Sequence, residues 1–227
     1  MKYEVKSPRK HQLFLLPGLG IDTRVYDRLL TSLPHDIIRA EWLIPEQNET
    51  LSEYASRQWI HNGGHRRCIV LGMSFGGIVA QELSKFHKLS GLVLISTLAS
   101  NVEKSFPLHA MKYVPYYRLL KGGWRVAAVR YGGGLAGIPL KSDREFLADM
   151  LSKQSNEHRM WGYQQIIHWN PVSAPEVPTL RLHGARDRVF PLSPKEGVEL
   201  IPKGTHFMLH QQAEQLVPHI QQFLQLL

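Results

Sequence analysis

Cys68-Ile69-Val70-Leu71-Gly72-Met73-Ser74-Phe75-Gly76-Gly77-Ile78-Val79-Ala80 is the stretch that decides the fold. Apolar residues from Cys68 to Met73 read as a strand buried on both faces. Within it begins Gly-x-Ser-x-Gly, at Gly72 to Gly76, and a helical pattern follows at once, with Ile78, Val79, Leu83 and Phe86 facing inward between Phe75 and His87. A strand that passes straight into a helix must turn so tightly that Ser74 takes strained backbone angles. Side chains at positions 72 and 76 would collide with that turn, hence the glycines Gly72 and Gly76. The five-residue pattern alone arises by chance in about one chain in ten of this length. The strand before it and the helix after it give it weight. Ser74 then stands above the sheet edge, beside the positive end of the following helix.

The same rhythm extends outward on both sides. Gln12 to Leu16, Ile37 to Trp42, Gly91 to Ser96, Thr179 to His183 and Val198 to Pro202 read as further strands. Thr23 to Leu33 and Leu51 to His61 read as helices. A last helix runs from Gln211 to Leu227, with Leu216, Ile220, Phe223, Leu224 and Leu227 as its buried stripe. Apolar strands separated by helices predict an α/β fold, a mostly parallel sheet of about six strands with helices on both faces. The rhythm stops between Leu98 and Pro171. Helical patterns continue there, with a glycine break at Gly132-Gly133-Gly134 and a long, kinked helical stretch from Ser142 to Trp169 that opens on a Ser142/Glu145 capping box. An insertion of this length is too long for a bare loop. Residues 1–97 and 172–227 therefore read as the core, and 98–171 as a helical insertion above it. Its aromatics, Tyr113, Tyr116, Tyr117, Trp124, Tyr131, Trp161, Tyr163 and Trp169, either line a substrate site or pack the insertion onto the core.

Composition narrows the function classes. The 227 residues carry a net charge of +8, with 43 % hydrophobic and 20 % charged residues. That balance suits a globular chain. The basic residues are scattered and no nucleic-acid motif accompanies them, so a solvated basic surface is expected, with attraction of an anionic substrate as the alternative, and nucleic acid is not. No apolar run approaches the ~20 residues of a membrane-spanning helix. The single cysteine, Cys68, allows no internal disulfide. Together these features predict a soluble, cytoplasmic protein without membrane insertion. No metal-ligand cluster is visible, and no cofactor is implied.

A serine hydroxyl needs a base, and a neutral imidazole needs an orienting acid. Of twelve histidines, His206 is best placed, in Lys203-Gly204-Thr205-His206-Phe207 between the last strand and the last helix. His210 is the rival, inside the helix pattern. For the acid, Asp187 follows the strand ending in His183-Gly184. The loop Ser96-Thr97-Leu98-Ala99 offers no carboxylate, and Glu196 lies too close to the last strand. His183 is expected to support its loop. Two backbone N–H groups would face a developing oxyanion. One belongs to Phe75, after the serine, and the other to Leu19, in Pro17-Gly18-Leu19-Gly20 after the first strand.

Taken together, Leu16 to Gly20, Gly72 to Gly77, His183 to Asp187 and Gly204 to Phe207 resemble four ordered motifs of the α/β-hydrolase family: oxyanion loop, nucleophile elbow, acid loop and histidine loop. The resemblance covers nearly all of the chain except the insertion, which corresponds to the family's variable cap. It departs in three places. Pro17 stands where many members have His, the N-terminal strands are few, and the segment from Asp187 to His206 is short, which puts the reach of Asp187 in question. The resemblance implies a compact α/β-hydrolase fold and a Ser-His-Asp enzyme, carboxylesterase-like (EC 3.1.1), that cleaves a small to medium, partly apolar acyl ester through an acyl-enzyme without a cofactor. An acyl thioesterase, a cofactor-free carbon–carbon lyase and an inactive binding protein on the same scaffold stay open. The partner implied is a small-molecule acyl substrate; the oligomeric state is not indicated.

Overall fold

The computed structural model describes residues 11–33, 36–66, 68–114, 123–134, 137–171 and 173–227. Six strands form one sheet: β1 (Gln12–Leu16), β2 (Ile37–Arg39), β3 (Cys68–Met73), β4 (Gly91–Ile95), β5 (Thr179–Gly184) and β6 (Glu199–Ile201). Their order is β2-β1-β3-β4-β5-β6, and every neighbouring pair is parallel. The chain steps outward from β1 to β2, then crosses to the other side of β1 to form β3. The connections leaving the carboxyl ends of β1 and β3 therefore diverge, and a crevice opens between them. Ser74 sits at the end of β3, facing that crevice.

The central strands β3 and β4 are apolar throughout, yet period two still sorts the sheet. Leu13, Leu15, Ile69, Leu71, Val93 and Ile95 face one layer, and Phe14, Leu16, Val70, Leu92 and Leu94 face the other. The first layer is closed by a 3₁₀ turn (Thr23–Tyr26), α1 (Asp27–Leu30), α8 (Met208–Gln211) and α9 (Ala213–Gln225). The second is closed by α2 (Leu51–His61) and α3 (Phe75–Phe86). Tyr26 is fully buried, and its hydroxyl bridges the carbonyls of Leu16 and Leu71, each at 2.9 Å. It pins the carboxyl ends of β1 and β3 together. Thr50 and Glu53 form the capping box that starts α2.

Between β4 and β5 the chain carries α4 (Phe106–Ala110), α5 (Trp124–Gly132), α6 (Lys141–Lys153) and α7 (Asn156–His168). The kinked helical stretch expected from Ser142 to Trp169 is two helices, separated at Gln154 and Ser155. Ser155 breaks it by accepting the N–H groups of Glu157 and His158 and so starting α7. The Ser142/Glu145 box does not form: α6 begins after Leu140 with no side-chain cap, and Glu145 pairs with Arg130 at 2.9 Å. Three further differences have local causes. The helix expected over Thr23 to Leu33 is a 3₁₀ turn and one α turn, closed by three-residue hydrogen bonds to Ser32 and Leu33. The strand expected to reach Trp42 stops at Arg39, because the Trp42 indole turns to the Gly18 carbonyl. The final helix starts only at Ala213, and Leu227 lies beyond its end. Phe86, in the last turn of α3, points to solvent, since His87 already has extended backbone leading to β4. Tyr113 and Tyr131 are also exposed; Tyr116 and Tyr117 lie outside the described residues.

Replacing Tyr26 by Phe should lower unfolding stability in urea by about 1 kcal/mol, since the one hydroxyl proton shared by the two carbonyls is lost. Gly76→Ala should cost more, because a Cβ there would press on the backbone of Leu16 and Pro17. Equal midpoints for Gly76→Ala and wild type would contradict the packing described.

Candidate active site

Ser74 has φ 52° and ψ −119°, a left-handed conformation that a side chain makes costly. Several contacts hold it there. Its N–H donates to the Ile95 carbonyl at 2.9 Å. Its own carbonyl accepts the Thr97 hydroxyl at 2.6 Å and the Gly77 N–H at 3.0 Å. A Cβ at Gly72 would lie 2.6 Å from Gly76 O and Gly77 Cα. The two glycines of the motif are thus required by space. Thr97 lies 23 residues from Ser74, and no local pattern marks it.

The three side chains chosen from sequence come together. His206 Nε2 lies 2.9 Å from Ser74 Oγ, and His206 Nδ1 lies 2.7 Å from Asp187 Oδ2. With Nδ1–H donating to the carboxylate, Nε2 is left as an acceptor toward the hydroxyl. Asp187 Oδ1 accepts the N–H groups of Val189 and Phe190, both at 2.8 Å. Burial opposes ionisation of Asp187, but the charge and hydrogen bond of His206, with the Phe190 N–H, outweigh it and hold the carboxyl below its ordinary range. His183 Nε2 donates to the Phe190 carbonyl at 2.8 Å and fixes the same loop. The short segment between Asp187 and His206 does not deny the acid its reach. The Arg186 N–H donates to the Gly204 carbonyl at 2.7 Å, and a Cβ at Gly184 would lie 2.6 Å from that same carbonyl. Two glycines let the acid loop and the histidine loop lie in contact. Phe190 sets its ring at 90° to His206 with centroids 5.2 Å apart. His210 is turned elsewhere: it stacks on Phe146 and lies 3.4 Å from Asp143. Glu196 is exposed.

Loop 17–20 forms the other wall. A Cβ at Gly18 would come 3.6 Å from Ser74 Cβ, so this loop flanks the hydroxyl. Trp42 Nε1 donates to the Gly18 carbonyl at 3.2 Å. The Leu19 side chain points away, onto Gly162 of α7, so α7 crosses directly over the loop. Ser74 is only 8 % exposed beneath this roof. Among the described residues no group of side chains is arranged to hold a metal ion, and no helix is long and apolar enough to cross a membrane. A groove of about 560 Å³ lined by Trp59, Gly64, His65, Arg66, His87 and Lys88 lies at the amino ends of the strands, remote from Ser74.

His158 of α7 is a second residue that sequence did not mark. It is 1 % exposed, and its ring sits among Trp42, Tyr54, Phe75 and Trp161, with centroids 5.1, 5.9, 6.0 and 6.4 Å away. Neither ring nitrogen has a hydrogen-bond partner among the described residues. Burial, and then the charge of Arg159, push its pKa down to about 4.

Comparison with known proteins places these features in company. A family model described as the alpha/beta hydrolase family matches residues 13–219. No curated protein sequence matches the chain. Among solved structures, a hydrolase from Pseudomonas aeruginosa is 21 % identical, with a TM-score of 0.71 over 96 % of this chain and 91 % of its own. An esterase from Rhodococcus sp. is 17 % identical, with a TM-score of 0.71 over 95 % of this chain and 90 % of its own. A bromoperoxidase from Bacillus anthracis is 16 % identical, with a TM-score of 0.73 over 95 % and 92 %. At such identities the likeness is one of fold.

The environment of His158 has a consequence for acid stability. Between its ordinary pKa of 6.5 and its folded value near 4, the unfolded chain takes up a proton that the folded chain refuses. This contribution is whole above pH 6.5 and is lost as pH falls toward 4. His158→Phe should therefore lose less stability than wild type on going from pH 7 to pH 4, by about 3 kcal/mol. Urea unfolding across that range measures it; parallel pH profiles would refute the assignment.

Proposed function

Because this chain belongs to the alpha/beta hydrolase family, we propose that it is a serine hydrolase acting on carboxylic esters, with Ser74 as nucleophile, His206 as base and Asp187 as orienting acid. The observation that carries this reading is the continuous hydrogen-bonded chain from Ser74 Oγ through His206 to Asp187, at 2.9 and 2.7 Å.

The reaction follows from the positions. Ser74 Oγ attacks the ester carbonyl while His206 Nε2 takes its proton. The carbonyl oxygen becomes an anion between the N–H of Phe75 and the N–H of Leu19. Phe75 opens α3, where N–H groups have no partner within the helix, and Leu19 lies on the loop flanking Ser74. His206 then gives the proton to the departing alcohol, leaving an acyl group on Ser74. Water, deprotonated by the same nitrogen, cleaves that bond and restores the hydroxyl. Asp187 stays ionised throughout and stabilises the imidazolium that forms in each half. Residues 98–171 act as a cap: α7 roofs the loop beside Ser74, and a site so enclosed favours small acyl groups.

Wild type should be labelled by a fluorophosphonate probe, and Ser74→Ala should not. Ser74→Ala should lower kcat on p-nitrophenyl acetate by about 10³-fold or more, and Asp187→Asn by about 10⁴-fold, through loss of the productive tautomer. Across p-nitrophenyl esters of graded length, kcat/KM should fall steeply with chain length. Failure of wild type to react with any probe or ester would refute the assignment. Equal rates on long acyl thioesters would replace the esterase with a thioesterase.

A further inference from the structure

Above the loop that flanks Ser74 lies a pair of buried cations. Arg159 of α7 is 5 % exposed, and Arg125 of α5 is buried as well. The chain of Arg159 lies against the oxyanion-side loop: a Cβ at Gly20 would come 2.9 Å from Arg159 Cδ. Its Nη1 donates to the Leu151 carbonyl, while Nε has no hydrogen-bond partner among the described residues. Arg125 places its guanidinium carbon 4.4 Å over the ring of Tyr163, one turn along α7 from Arg159. Burial, and then the charge of Arg125, hold Arg159 below its usual range.

The acids of the surrounding helices are committed elsewhere. Glu103 serves Arg181 and Lys195. Glu145 serves Arg130, and Asp149 serves Arg24 and Lys153. Asp143 faces Arg28 and His210, and Glu157 is exposed at the start of α7. A guanidinium cannot shed its proton to escape burial. Arg159, buried and with its Nε donor unused among the described residues, forms an arrangement completed by an anion. The Arg159 side chain lies against Gly20, in the loop that flanks Ser74.

We propose that Arg159, with Arg125 beside it, receives a carboxylate of the substrate, so that the preferred ester carries an acid at the far end of its acyl group. This rests on Ser74 being the nucleophile. The edge of the fork left by Nη1 presents parallel donors matched to two coplanar oxygens of one negative charge.

The test compares p-nitrophenyl hydrogen glutarate with p-nitrophenyl hexanoate of the same length. The wild-type kcat/KM ratio should favour the glutarate ester by about 10-fold or more. Arg159→Gln should bring the ratio near one, and Arg159→Lys should keep part of the preference. The ratio, not the absolute rate, is the readout, so general damage to the fold does not imitate the result. In Ser74→Ala, free glutarate should raise Tm, and Arg159→Gln added to that variant should abolish the rise. Hydrolysis of hexanoate with no preference for glutarate overturns the carboxylate site and leaves the esterase standing. Inertness toward both esters and the fluorophosphonate overturns the esterase itself. A Tm rise with inorganic phosphate but not glutarate overturns the choice of carboxylate.

Discussion

Much of the structure above the sheet depends on how closely the turn after β3 approaches the loop after β1. The two strands are neighbours, and Tyr26 ties their carboxyl ends through one hydroxyl. Gly76 allows the start of α3 to rest on the backbone of Leu16 and Pro17, where no side chain fits. That contact is what puts Ser74 beside Gly18 and leaves Phe75 and Leu19 on the same crevice. The strain stored at Ser74 is the cost of the approach. The hydrogen bonds from Ser74 N–H and from Thr97 hold it.

A second contact of the same kind assembles the other half. Gly184 and Gly204 let the ends of β5 and β6 meet, and the backbone bond from Arg186 to Gly204 locks the two loops. Asp187 then needs no long excursion to reach His206. Its charge survives burial because every oxygen has a donor: Val189 and Phe190 on one, His206 on the other. The acid side of the site is a closed, satisfied network. The roof differs. There His158 and Arg159 are buried with donors or acceptors unused, and unsatisfied groups in a native fold call for an explanation in ligands or strain. The proposed substrate recognition falls in that less settled layer, and the proposed chemistry in the rigid one beneath it.

The positions of Ser74, Asp187 and His206, the parallel sheet and the helical insertion were legible in the chain alone. Each rests on a local rule: apolar runs make strands, a glycine-flanked serine between strand and helix makes a sharp turn, and loops after strand ends share one rim. Element edges were less legible where a distant partner intervened. Trp42 left its strand for Gly18, Glu145 left its cap for Arg130, and Ser155 set the place where the kinked stretch divides into two helices.

Sequence by itself determined the order and type of the elements and the residues able to carry acyl chemistry, because those follow from short-range periodicity and from side-chain chemistry. Only the tertiary structure decided what surrounds them. Thr97 on the Ser74 carbonyl, His158 among four aromatic rings, and Arg159 beside Arg125 are meetings of residues far apart in the chain or on separate helices. Packing brings them together, and burial then sets their charge and their unmet hydrogen bonds. Neither those meetings nor the unmet hydrogen bonds are written in any local stretch.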